Sequence, residues 1–411
     1  MFGLFGQGNL GNDGSMEAVL GYLRAEHPDV ILDVLCTRPD RVTARYGLSA
    51  APLHWYTPDS RRSKASAAAR AVLGLGPDAF RTASWVRRHD VVIVPGMGVL
   101  EATLPLRPWR TPYVMFVLCA SGRLFGTKVA LVSVGANVIH KQATRRLVTM
   151  AARLAHYRSF RDAAAREAMR HMGVDTSGDP VYPDLAFALP APPGKPAAPG
   201  TVGVGVMEYS GGNDDRRQAA EIRGSYLEQM TRFVVWLTDQ GRPVRLLAGD
   251  TIDEGAVQEV LSGLRARRPR LPAASVVAEP ANTLGELMGQ LASVDTVVAT
   301  RYHTVLCAVK LAKPTVAIGY APKFDALMDE MGLAEYCQSA KSLDASQLAG
   351  QFMELEDRAD RLRPALAERS AANARLLARQ FAALSATFFP AGPAGSTSGA
   401  GPPAPVPTEA R

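Results

Sequence analysis

Short aliphatic runs recur along this chain, each ending in glycine or a small polar residue, with helical stretches between them. Met1–Phe5, Val30–Cys36, Asp90–Val94, Val129–Val134, Val202–Val206, Val244–Ala248, Thr296–Ala299 and Thr315–Ile318 all have this form. Punctuated runs of that length are buried strands. The intervening stretches, such as Ser15–Glu26, Thr144–Ala155, Tyr226–Gln240 and Leu284–Leu291, space their apolar residues as helices do. Strand and helix in alternation have one common solution, a parallel sheet covered by helices on both faces. The alternation breaks at Ala191–Gly200, which is Pro, Gly and Ala with one Lys, the composition of a linker. The expected fold is two doubly wound, Rossmann-like α/β domains facing across a cleft. Their bounds are residues 1–190, a linker at 191–200, and residues 201–388, the last closed by helical sequence from Asp344. Residues 389–411, almost wholly Pro, Ala, Gly, Ser and Thr, are expected to be disordered.

An apolar fraction of 47% and a charged fraction of 21% describe a soluble globular chain. No run of apolar residues is long enough to span a bilayer, and the first residues lack the pattern of a secretory signal. Cys36, Cys119, Cys307 and Cys337 have no metal or redox spacing, which suits reduced core thiols in the cytoplasm. The net charge of +7 is spread over short basic groups, including Arg61-Arg62, Arg87-Arg88, Arg145-Arg146 and Arg267-Arg268. That dispersal argues against a nucleic-acid partner. The basic segment Arg61–Arg70 reads first as a solvated helix, with a peripheral membrane contact as the alternative.

Two segments carry chemistry. Gly6-x-Gly8-x-x-Gly11 matches a dinucleotide fingerprint in spacing. Asp33, however, lies within its strand rather than at the end, where a ribose-binding acid belongs. Three readings stay open: a cofactor turn, a merely tight turn, or a turn that brings Asn9 and Asp13 to the cleft as hydroxyl-binding groups. The second segment is Asp295–Thr304 followed by Lys313–Lys323. It reads as strand, helix, strand and loop, so Arg301, His303 and Lys323 belong at the carboxyl edge of one sheet. Thr300 is placed to cap the helix. Arg301 offers a bidentate fork, Lys323 a point charge and His303 a proton near neutral pH. Such a set suits a small, densely charged anion. No metal-ligand cluster is visible.

Four motifs in order carry a family resemblance: Gly8-Asn9-Leu10-Gly11-Asn12-Asp13, Asp90–Gly98, Arg161-Asp162 with Asp184–Phe187, and Arg301-Tyr302-His303 with Tyr320-Ala-Pro-Lys323. Together they make the chain resemble a polysaccharide pyruvyl transferase over roughly residues 1–335. Where the family has a glycine triplet, this chain has Pro95-Gly96-Met97-Gly98. The resemblance implies a glycosyltransferase B-like fold and no cofactor beyond phosphoenolpyruvate as co-substrate. It further implies a glycan or lipid-linked sugar as acceptor, in exopolysaccharide or cell-envelope synthesis. On that reading His303 is the general acid and Asp13 a base or sugar ligand. Arg301, Tyr302, Lys323 and Arg217 bind the donor, with Arg216 beside it, while Asn9 and Gly98 face the acceptor. Rival readings are a nucleotide-sugar glycosyltransferase of the same fold, for which Glu330 is the tempting ribose acid, and a non-catalytic sugar-binding protein.

Overall fold

A computed structural model describes residues 1–55, 73–101, 111–193, 199–212 and 215–390. The basic segment Arg61–Arg70, much of the linker and the tail from 391 lie outside the described residues. The first half runs β1 (Phe2–Gly3), α1 (Leu10–Glu26), β2 (Asp33–Cys36), α2 (Pro39–Tyr46), β3 (Ser49–Pro52), α3 (Leu75–Val86), β4 (Val91–Pro95), α4 (Thr111–Phe125), β5 (Lys128–Val134), α5 (Gln142–Leu154), β6 (Tyr157–Phe160) and α6 (Ala163–His171). The second runs β7 (Val202–Val206), α7 (Ala219–Asp239), β8 (Val244–Ala248), α8 (Glu254–Arg267), β9 (Val276–Ala278), α9 (Leu284–Ala292), β10 (Thr296–Ala299), α10 (Tyr302–Lys310), β11 (Thr315–Gly319), α11 (Pro322–Glu330), β12 (Cys337–Ser339), α12 (Ala345–Asp357) and α13 (Ala359–Phe388).

The strand pairs are parallel throughout. In the second half the order is β9-β8-β7-β10-β11-β12. In the first half β3-β2-β1 and β4-β5-β6 form two ladders, and β1 packs beside β4. Counted from its own first strand, each half therefore has the order 3-2-1-4-5-6, the doubly wound Rossmann order. The fold is α/β, with two such halves in a glycosyltransferase B-like arrangement. Ligands in such sheets bind beyond the carboxyl ends of the strands, where the order reverses. Here that edge is formed by the segments after β1, β4, β7 and β10.

Local sequence explains why β7 sits centrally. It reads Val-Gly-Val-Gly-Val, and all five residues are buried. A Cβ on Gly205 would lie 2.8 Å from the Ala299 Cβ and 3.2 Å from the Thr304 methyl, so only glycine lets α10 approach the sheet. Two expectations shift by a few residues. Helix α1 starts at Leu10, not Ser15, because the Asn9 side chain accepts the Asn12 N–H at 3.1 Å and caps it there. Asp33 opens β2 rather than lying within it, and it accepts the Trp85 indole N–H at 2.8 Å. Its carboxylate thus sits at the amino edge of the strand, away from the cleft. The apolar stretch from Tyr113 is part of helix α4, buried along Val114, Met115, Leu118 and Cys119.

The last helix spans both halves. Ser370 and Asn373 bond Lys310 and Glu330 in the second half. Two turns later Gln380, fully buried, donates to Ser159 at 2.7 Å and accepts from Ser133 at 2.9 Å in the first half. No helix among the described residues is long and apolar enough to cross a membrane.

Candidate functional site

The residues after β4, β6, β10 and β11 converge on one charged cluster. Arg161 follows β6 and is buried, with Glu101, Asp162 and Asp184 around its guanidinium. Its Nη2 is bonded to Glu101, its Nη1 lies 3.7 Å from Asp184, and its Nε lies 3.6 Å from Asp162 without a hydrogen bond. Burial works against this charge, but Glu101, Tyr302, Asp184 and Asp162 outweigh it and keep the guanidinium protonated. The Glu101 carboxylate bridges outward to Lys323, 3.7 Å from Nζ. The Tyr302 ring is a shared face: Arg161 lies 5.0 Å and Lys323 5.2 Å from its centroid. Tyr302 is buried, and desolvation holds its phenol well above its ordinary pKa, so it stays neutral.

His303 stands on the first turn of α10, with Nε2 3.8 Å from Asp184. Burial pushes its pKa down from 6.5 to about 4; Asp184 opposes the shift, and Arg161 and Lys323 add to it. At neutral pH the imidazole is therefore uncharged. Its other neighbour comes from the first half. A Cβ on Gly11 would fall inside the His303 ring, so the first turn of α1 lies directly on the imidazole. Asp184 is fixed by its own short turn, where Oδ1 accepts the Ala186 N–H at 3.0 Å.

Arg301 takes a different partner. Its Nε and Nη2 each bond Asp253 at 2.7 Å in a bidentate pair, and Asp253 is fully buried. Burial opposes the charge, the Asp253 pair outweighs it, and the guanidinium is held protonated. The guanidinium is thus committed to the loop after β8, and that loop touches the first half: Asn9 and Asp250 form a β-bridge. Thr300 does not cap α10. Its hydroxyl bonds the buried Tyr226 hydroxyl at 2.7 Å, and the cap position is Arg301, which offers no side-chain acceptor. The first-turn N–H groups of α10 thus lack a side-chain cap.

The remaining expected residues lie as follows. Asp13 is buried, accepts the Gly6 N–H at 2.8 Å and lies 3.9 Å from Arg45. Desolvation raises its pKa, against the Gly6 bond and Arg45. Gly98 makes room for Glu101, whose carboxyl carbon lies 2.6 Å from the position a Cβ would take. Arg216 and Arg217 are exposed in the turn before α7, close to Asp215, which bonds Lys341. Glu330 ends α11 and bonds Asn373 at 2.6 Å, so it is engaged with the last helix. The structure thus joins His303, Tyr302 and Lys323, and adds Glu101, Arg161 and Asp184, to which the sequence assigned no role. Two of these stood in plain view as the Arg161-Asp162 and Asp184-Leu-Ala-Phe187 motifs. Glu101 carries no local signal beyond following the glycine turn.

A family model described as "Polysaccharide pyruvyl transferase" matches residues 9–322. No curated protein matches the chain in sequence. Solved structures do match in fold. A Listeria monocytogenes protein assigned as a UDP-N-acetylglucosamine 2-epimerase superposes with a TM-score of 0.61 at 12% identity, covering 94% of this chain and 96% of its own. Anabaena Alr3699/HepE, solved with UDP-glucose, gives 0.57 at 11% identity over 94% and 98%. The Neisseria meningitidis UDP-GlcNAc 2-epimerase, bound to UDP-GlcNAc, gives 0.52 at 10% identity over 89% and 97%. At such identities the likeness is one of fold. The family model spans most of the chain and includes the Gly11, Arg161, Asp184 and His303 positions: this protein belongs to the polysaccharide pyruvyl transferase family.

Proposed function

We propose that the cleft moves a pyruvyl group from phosphoenolpyruvate to two hydroxyls of a glycan, closing a cyclic ketal. The observation that carries this reading is the position of Glu101. Its carboxylate spans Arg161 and Lys323 over the Tyr302 ring, beside a neutral imidazole. A carboxylate so held marks where a substrate carboxylate would bind. Arg161 and Lys323 face Glu101, Asp162 and Asp184, so the cluster has no surplus positive charge for a dianion. The donor must therefore replace Glu101 rather than join it. The uncapped first turn of α10 offers the donor's phosphate its N–H groups.

The chemistry follows from those placements. A bound polyanion favours the protonated form of a nearby imidazole. His303 gains its proton as the donor settles, and gives it to the methylene carbon. The central carbon becomes cationic, and the first sugar hydroxyl bonds to it. The carbon–oxygen bond to phosphate then breaks, with phosphate keeping the electron pair. The second hydroxyl closes the ring. One hydroxyl proton replaces that delivered by His303, and the other leaves on phosphate. Asp184 steadies the imidazole in both charge states, and Arg161 and Lys323 hold the carboxylate and the leaving phosphate. Asn9 and Asp13 shape the acceptor side through the first turn of α1. Arg217 lies on a loop that can close over the donor, and Arg301 supports the floor of the site through Asp253.

Incubating the protein with phosphoenolpyruvate and candidate glycans should yield a ketal-bearing product by mass spectrometry, with phosphate released in equal amount. Binding of a UDP sugar with no binding of phosphoenolpyruvate would overturn the reading in favour of nucleotide-sugar chemistry.

A further inference from the structure

Helices α3, α4 and α5 lie side by side over one face of the first half. Their only acidic residue is Asp78, and it is turned inward, accepting the Trp55 N–H at 2.7 Å and bonded to His54 at 3.0 Å. The basic residues on this layer are exposed: Arg87 and Arg88 after α3, and Lys141, Arg145, Arg146 and Arg153 at and along α5. Among the described residues none of them forms an ion pair; Arg145 and Arg153 donate instead to the carbonyls of His171 and Gly173. By contrast, five arginines of the second half, Arg223, Arg232, Arg245, Arg267 and Arg268, are each neutralised by Glu or Asp. The same helical layer exposes large apolar side chains: Leu73 at 73%, Phe80 at 75%, Leu124 at 76% and Met150 at 43%. Leu73 lies just before the Gly74 cap of α3, and Phe80 stands at the middle of that helix.

We propose that this face docks on the surface of an anionic lipid bilayer. Unpaired cations attract lipid headgroups, and protruding aliphatic and aromatic tips enter the boundary beneath them. A polyanion such as RNA would be served by the cations but not by Phe80, Leu124 and Met150. The helices run antiparallel to the strands, so the amino end of α3, next to Leu73, is the end nearer the cleft. Resting on this face, the protein holds its cleft mouth beside the membrane. On the reading proposed above, the acceptor glycan is therefore one attached to a lipid.

The docking itself is tested without catalysis. The full chain is sedimented with vesicles of phosphatidylcholine, with and without phosphatidylglycerol. Binding should require the anionic lipid and weaken with salt. Arg145→Glu with Arg146→Glu should weaken it at least about tenfold, and Phe80→Ser with Leu124→Ser should also weaken it. All four side chains are exposed, and circular dichroism verifies that the variants fold. Absence of binding, or equal binding to neutral vesicles, overturns the proposal. Binding that survives the Phe80/Leu124 change while failing in the arginine variant also overturns it, since the face would then recognise any polyanion. If docking holds and no ketal forms, the chemistry alone is wrong.

Discussion

Gly11 and His303 meet across the seam between the halves, and this contact decides how the imidazole is held. The helix tolerates alanine at position 11, but the imidazole does not. Gly11→Ala should cost about 1–3 kcal/mol of stability by overpacking and, in the protein that remains folded, lower turnover on the order of a hundredfold, as a 1 Å misplacement of a reacting group does. Unchanged turnover would mean that His303 has room to move without consequence. Burial of His303 has a second effect. The unfolded chain protonates this residue near pH 6.5 and the folded one only near 4. The contribution to stability is thus present above pH 6.5 and lost as pH falls toward 4, with an upper limit of about 3 kcal/mol. Denaturation midpoints at neutral and mildly acidic pH should fall less in His303→Gln than in the parent. Parallel slopes would place the imidazole in solvent. The sequence signals the residue type well at this scale, since Arg-x-His after a buried strand is visible. It does not signal that Arg301 turns to Asp253 while His303 turns to Asp184, because neither acid is near in the chain.

Among the elements, β7 and α13 do most to set the site. Gly205 of β7 brings α10 against the sheet, and α10 presents His303 at the seam. Helix α13 links the two halves through Gln380, whose amide takes the hydroxyls of Ser133 and Ser159. Ser133 has a φ of +49° within β5, a left-handed conformation that a serine adopts only when its surroundings hold it there. Removing the tie by Gln380→Ala leaves two buried hydroxyls without this partner and should cost about 1–3 kcal/mol, read by chemical denaturation. A loss below the precision of that measurement would show that the serines find other partners. Strand and helix positions are legible from periodicity alone, and the boundaries of most elements agree with it to within a few residues. The exceptions have local causes: Asn9 moves a helix start to Leu10, and Thr300 is drawn away from its cap by Tyr226.

At the level of the whole molecule, the candidate site belongs to neither half alone. Glu101, Arg161 and Asp184 come from the first, and Tyr302, His303 and Lys323 from the second. Phosphoenolpyruvate at a hundredfold excess over its dissociation constant should therefore stabilise the chain by about 2.7 kcal/mol in a single melting transition. Two separated transitions, with only one shifted, would assign the ligand to one half. Charge behaves differently at this scale than in the linear chain. The short arginine groups look evenly scattered in sequence, but the fold puts Arg87-Arg88 and Arg145-Arg146 on one helical layer and pairs Arg267 and Arg268 with acids elsewhere.

Hydrophobic period, glycine punctuation and the ordered motifs suffice to give two Rossmann-like halves, the family, and a basic helix start near His303. These are properties of neighbouring residues, so a one-dimensional pattern carries them. Which carboxylate balances which cation, what buries the imidazole, and which arginines gather on one face depend on residues dozens to hundreds of positions apart. Those pairings arise when parallel strands bring their carboxyl ends to a shared edge, and distance along the chain says nothing about them.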